Sequence, residues 1–174
     1  MLNILSTDYE CGGYPMKLFS KSRLQALLFI FSLHISGTVM ASNCDNSCQQ
    51  GLIQDYFSLL GEVYKQGSTT HDVERLFKLF TDDVKYEHIE YQANFNQQEW
   101  GDAFKANLKA GAYSADENSA IRVEKYIFGK QYVAVEYSYG QRLSNGDWVA
   151  QGDQKLFALF GFQQNKINLV REYW

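Results

Sequence analysis

Proline is almost absent from this chain. Its one occurrence, Pro15, precedes every strand-like stretch, so no proline interrupts a sheet ladder downstream. Histidine is nearly as scarce. Of His34, His71 and His88, only the last two lie beyond the leader described below, too few for a histidine-rich metal site. Positive charge is not in excess, with 16 Lys and Arg against 20 Asp and Glu. No basic cluster remains after the leader, which argues against nucleic acid or an anionic membrane surface as partner. There is no Gly-rich phosphate loop, no G-x-S-x-G elbow and no H-E-x-x-H pair. No motif here implies a cofactor.

What is present begins with a leader. From Met16 the chain reads "MKLFSKSRLQALLFIFSLHISGTVMASNC". Lys17, Lys21 and Arg23 precede an apolar run from Leu24 to Ile35, and Val39 and Ala41 stand at the −3 and −1 positions of a cleavage site. That order is a secretory signal peptide, and the run is short of the roughly 20 apolar residues of a membrane span. Residues 16–41 are therefore expected to direct export to a periplasmic or secreted location. Residues 1–15 form an upstream extension, with Met16 an alternative start. Losing residues 1–41 removes three basic and two acidic side chains, so the formal charge moves from −4 to −5. A short polar lead-in, 42–49, carries Cys44 and Cys48 in "CDNSC". In an oxidising compartment these form a small local disulfide or stay as idle thiols. The C-x-x-x-C spacing is not that of a thioredoxin-type pair.

Residues 50–174 suffice for one domain with its own core. Leu52, Ile53, Tyr56, Phe57, Leu60 and Val63 recur at helical spacing up to about Gln66–Gly67. Thr69 or Thr70 starts a second helix bearing Val73, Leu76, Phe77 and Phe80, which "TDD" ends. Val84 to Tyr91 reads as a strand. Asn96 and Glu99 then make a capping box for a third helix that carries Trp100 and Phe104. Strands are expected over 120–128, 132–143, 148–162 and 167–174, with Asn145-Gly146 as a hairpin turn. The pattern is α+β, with three N-terminal helices packed on a curved, mostly antiparallel sheet.

Within the first strand, "DDVKYEHIEY" puts Tyr86, His88 and Glu90 on one face, where a core strand would be aliphatic. Such a face serves either acid/base chemistry or the polar edge of a ligand pocket. Along 132–139, Tyr132, Ala134, Glu136 and Ser138 share one face and Val133, Val135, Tyr137 and Tyr139 the other. The spacing leaves open which faces inward.

Three stretches, "LFKLFTDDVKYEH", "NQQEW" and "NKINLVREYW", together with the order of elements, resemble the nuclear transport factor 2-like superfamily and its SnoaL-like branch over about residues 50–174. The resemblance implies a cone-shaped α+β fold, often dimeric through its sheet, with a pocket for a small apolar or aromatic molecule and no fixed reaction. In ketosteroid isomerases of this superfamily a segment like "DDVKYEH" ends in the catalytic base, and His88 stands at that position. Their second acid would fall at Phe157, which disfavours steroid-type isomerisation. If the chain is catalytic, the resemblance implies His88 as proton-transfer group, Asp153 as its orienter and Tyr86 as a hydrogen-bond donor. Trp100, Phe104, Tyr137 and Phe157 would line or fill the cone. The reaction would be a cofactor-independent isomerisation, dehydration, cyclisation or hydrolysis. The other reading is a non-catalytic dimerisation or protein-interaction module.

Overall fold

The computed structural model describes residues 44–174. The upstream extension, the signal peptide and the first two residues of the lead-in lie outside the described residues.

Helix α1 (Asn46–Tyr64) starts earlier than the apolar spacing predicts, because Asp45 caps it by accepting from the Cys48 N–H at 2.9 Å. A Cys44–Cys48 disulfide closes over this first turn. Helix α2 (Thr70–Phe77) opens where Asp72 accepts from the Thr69 N–H at 2.9 Å. Helix α3 (Gln97–Lys109) begins with the expected capping box: Glu99 accepts from the Asn96 N–H and Asn96 from the Glu99 N–H, each at 3.0 Å.

Seven strands form one sheet: β1 (Phe80–His88), β2 (Ala93–Asn96), β3 (Ser119–Phe128), β4 (Tyr132–Arg142), β5 (Trp148–Ala150), β6 (Leu156–Gln163) and β7 (Lys166–Glu172). The order is β2-β1-β7-β6-β4-β3, with β5 added on β4. Every pairing is antiparallel except β1 with β7. Register shifts interrupt β1 against β7, β3 against β4, and β6 against β7. Such bulges bend a sheet, and the three helices pack on the curved result, as the sequence pattern predicts.

Several element boundaries differ from expectation: β1 stops at His88, so Glu90 lies in the turn that follows and shares no strand face with Tyr86 and His88. "TDD" does not end α2 but lies inside β1, and Phe80 opens that strand. The short β2 has no counterpart in the apolar pattern. The long strand expected over 148–162 is broken: residues 151–155 form an irregular segment with Gly152 at φ +84, which separates β5 from β6.

The core joins the inner face of the sheet to the helices. Tyr56, Phe57 and Leu60 of α1 meet Val133, Val135 and Tyr137 of β4, Phe160 of β6 and Val170 of β7, each at most 2% exposed. This settles the facing of β4: Val133, Val135 and Tyr137 point inward, while Glu136 reaches Lys125 on the outer face.

Candidate functional site

The least expected member of the core is an acid. Glu172, on the last residue of β7, is 4% exposed. Alternation along β7 places Val170 and Glu172 inward together. The Tyr86 hydroxyl donates to Glu172 Oε2 at 2.6 Å and the Tyr137 hydroxyl to Oε1 at 3.1 Å. Trp174 Nε1 in turn donates to the Tyr137 hydroxyl at 2.6 Å. Both tyrosine rings are held by packing. Trp100 stacks on Tyr86 at 4.5 Å with Phe95 also stacked on it at 6.2 Å, and Phe57 lies against Tyr137 at 4.7 Å.

Burial raises the Glu172 pKa above the usual carboxylate range, and the bonds from Tyr86 and Tyr137 and the nearby His88 pull against that rise. The tyrosines respond in the same sense. Burial, then the Glu172 charge, raises the hydroxyl pKa of Tyr86 and of Tyr137. Both therefore remain protonated donors throughout the working pH range.

His88 is Glu172's partner across the parallel β1–β7 pairing, one strand spacing away (about 4.8 Å). It is 3% exposed. Tyr91 stacks on its ring at 4.3 Å, and Trp174 meets the ring edge-on at 4.7 Å. Nδ1 accepts from the Tyr91 N–H at 3.4 Å, a long bond that leaves the proton of a neutral ring on Nε2. Nε2 is buried and has no hydrogen-bond partner among the described residues. An unpaired buried donor is costly, and a ligand acceptor would relieve it.

The residues singled out from the sequence divide into two groups. His88, Tyr86 and Tyr137 come together around Glu172. Trp100 and Phe104, 4% and 6% exposed, belong to the core. Trp100 braces Tyr86, and Phe104 packs near Tyr64 at 6.5 Å. Two placements must be corrected. Phe157 is 41% exposed and contacts Tyr173 on the outer face, so it does not line the interior. Counting back from the terminal Tyr-Trp lands one residue out of register, and a slip of one exchanges the two faces of a strand. Asp153 is exposed in the irregular segment before β6, so it does not share a strand face with Phe157.

Glu172 was missed by the sequence reading. A buried carboxyl lies instead on the neighbouring strand, where Ala158 of β6 pairs with Glu172 of β7. The signal was the inward alternation Val170, Glu172, Trp174 within "NLVREYW". Leu169 next to Val170 obscures it.

No protein-family model matches the chain, and no curated relative does. Among solved structures, the chain is similar to an NTF2-like protein of unknown function from Cytophaga hutchinsonii (10% identity, 73% of this chain and 96% of that one, TM-score 0.46). It is also similar to a protein of the SnoaL-like family from Agrobacterium tumefaciens (9%, 73% and 97%, 0.48), and to an LEH-like epoxide hydrolase from M. tuberculosis (10%, 73% and 82%, 0.48). Likenesses this distant carry neither reaction nor ligand to this chain, whose own residues have to supply both.

Proposed function

We propose that this chain is an exported small-molecule-binding protein that carries out a cofactor-independent proton transfer at Glu172 and His88. The observation that supports it is a buried carboxylate, held by two tyrosine hydroxyls, beside a histidine whose Nε2 is buried and unpartnered among the described residues. A glutamate whose pKa is raised by burial is a stronger base than an ordinary one. In this reading Glu172 removes a proton from a carbon next to a ligand carbonyl. The His88 Nε2–H donates to the carbonyl oxygen as negative charge gathers there. Returning the proton from Glu172 to another carbon completes an isomerisation, and expelling a β-hydroxyl as water completes a dehydration. Tyr86 and Tyr137 orient the carboxylate. The aromatic rings packed around the cluster favour a planar, weakly polar reacting group.

Export is supported by the leader pattern and by the joined Cys44 and Cys48. A homodimer through the outer sheet face is the accompanying proposal. Ile127 (70% exposed), Phe157 (41%) and Tyr173 (43%) supply apolar surface there. Sedimentation of the purified protein tests it.

The deciding experiment identifies a copurifying small molecule by native mass spectrometry and assays its turnover with Glu172→Gln and His88→Gln. Turnover lost with binding retained supports the reading. Turnover unaffected by both substitutions removes it, leaving a binding module.

A further inference from the structure

On the side of α1, aromatic rings cover the Glu172 cluster. Tyr64 and Tyr139 stand together there, and Tyr139 lies near Trp174 with centroids 6.4 Å apart. Open space begins beyond that pair. A recess of about 70 Å³ is lined by Gly61, Tyr64, Ala120, Tyr139, Gly140 and Gln151 among others. It shares Gly61 and Ala120 with a groove of about 520 Å³ between α1 and β3. It shares Gly140 and Gln151 with a hollow of about 550 Å³ at the β4–β5 edge. The three adjoin through these shared residues and are taken together as one cleft, with Tyr64 and Tyr139 on the side toward the Glu172 cluster. Its groove alone falls within the range of small-molecule sites, about 300–1,000 Å³.

The walls of this cleft are polar but electrically balanced. Gln54 and Asn118 offer amides and Ser119 a hydroxyl in the groove, and Gln151 offers another amide at the recess. Lys65 is neutralised by Glu62, and Arg122 by Glu124. Arg142 adds one positive charge and Glu117 and Asp116 two negative ones, so the lining itself carries three of each sign. Tyr126 contributes an apolar wall with a polar tip. A site of paired donors and acceptors without net charge suits a neutral ligand rich in hydroxyl groups.

Gly61 lines both the recess and the groove. It lies inside α1, where glycine is less stable than alanine, and a Cβ added there would meet nothing within 4 Å. No packing contact explains the glycine. A larger side chain would project into the cleft.

We propose that this cleft is a second subsite, which takes a neutral hydroxylated group of the sugar type joined to a planar aromatic head. The head's destination, past Tyr64 and Tyr139 toward Glu172, rests on the proton-transfer reading. The cleft's occupant does not.

The test compares 4-nitrophenyl β-glucoside with 4-nitrophenol on the intact protein, followed by amide and indole chemical shifts. The glucoside is expected to shift Gly61, Ser119, Ala120 and Gly140, and to bind about tenfold more tightly than the phenol, the gain from a few added hydrogen bonds. Gly61→Phe fills the cleft from the helix and Ala120→Tyr from the strand; either should remove that advantage. Gly51→Phe, also on α1 with nothing within 4 Å of its Cβ position, should leave it intact. Equal affinity for the two probes overturns the proposal. So does undiminished glucoside binding in the filled variants. Cleft shifts without movement of the Trp174 indole would support the subsite while counting against Glu172 as the head's destination.

Discussion

Glu172 and His88 sit side by side on parallel neighbouring strands, both nearly sealed from solvent, at 4% and 3% exposure. One is a carboxyl whose pKa burial pushes up; the other is a histidine with a buried ring nitrogen unpartnered among the described residues. Neither strand alone would create this pairing. It requires the single parallel contact in an otherwise antiparallel sheet.

Glu172→Gln is expected to lower turnover by about 10²–10⁴-fold, the usual contribution of a positioned base. The sign of its stability effect follows from the raised pKa. The folded state prefers protonated Glu172, so the penalty is absent below the unfolded pKa and grows as pH rises through the folded one. The glutamine variant should therefore match the parent in acid and exceed its stability at neutral pH. Denaturation series at pH 4 and pH 8 check this. A parent that gains on the variant as pH rises would show that Glu172 is stabilised as an anion.

Tyr86→Phe removes the 2.6 Å donor to Glu172 Oε2 while keeping the ring between Trp100 and Phe95. Hydrogen bonds to charged groups are worth about 1.5–3 kcal/mol. The Glu172 pKa should rise further, moving the acid limb of any pH–rate profile upward. An unmoved limb would mean that the limb reports another group.

Trp100 and Phe157 were grouped together by sequence, yet the structure puts them on opposite sides of the sheet. Trp100→Ala is expected to cost about 3–5 kcal/mol, as buried aromatics do, and to loosen Tyr86. Phe157→Ala should change monomer stability by about 0.5 kcal/mol or less, as at exposed sites. Urea titration of both separates them. A large loss for Phe157→Ala would restore it to the interior.

The contrast shows what the sequence could convey. The capping boxes at Thr69–Asp72 and Asn96–Glu99 act within one turn, so their residues are near in sequence and legible there. So is the alternation that buries Val133, Val135 and Tyr137, once the opposite face is known to carry Glu136. The Glu172–His88 pairing spans 84 positions, and no local pattern encodes which strands lie parallel. Phe157 failed for a related reason. Its facing depends on register through a sheet that shifts between Gly161 and Phe162, and a count along the chain cannot see such a shift.

Gly140 tests the close approach of β5 to β4. A Cβ there would stand 2.4 Å from the Val149 carbonyl oxygen and 2.6 Å from the Trp148 ring. Both belong to the opposing strand, so Gly140→Ala forces backbone movement. Overpacking of this kind costs about 1–3 kcal/mol. The displaced Trp148 should also leave Arg122, which lies 4.8 Å over its ring, and its fluorescence should change. A silent substitution would mean that β5 is free to move away.

Glu124 provides the acid-side counterpart to Glu172. It occupies the register shift in β3, where burial raises its pKa but hydrogen bonds from Arg122, Ser138 and Lys155 outweigh that and bring it down to about 2. A depressed folded pKa contributes stability above the unfolded value, near 4.5, and loses it as pH falls toward about 2. Arg122 and Lys155 are 40% and 46% exposed, so salt screens the pair, and the contribution should be about 1 kcal/mol or less. Glu124→Gln should therefore be less stable than the parent at neutral pH and converge with it between pH 4.5 and 2. Molar salt should shrink the neutral-pH gap. Because Glu172 acts in the opposite sense, the double variant should show the flatter stability profile across acid pH, and persistent steepness would place the governing titration elsewhere.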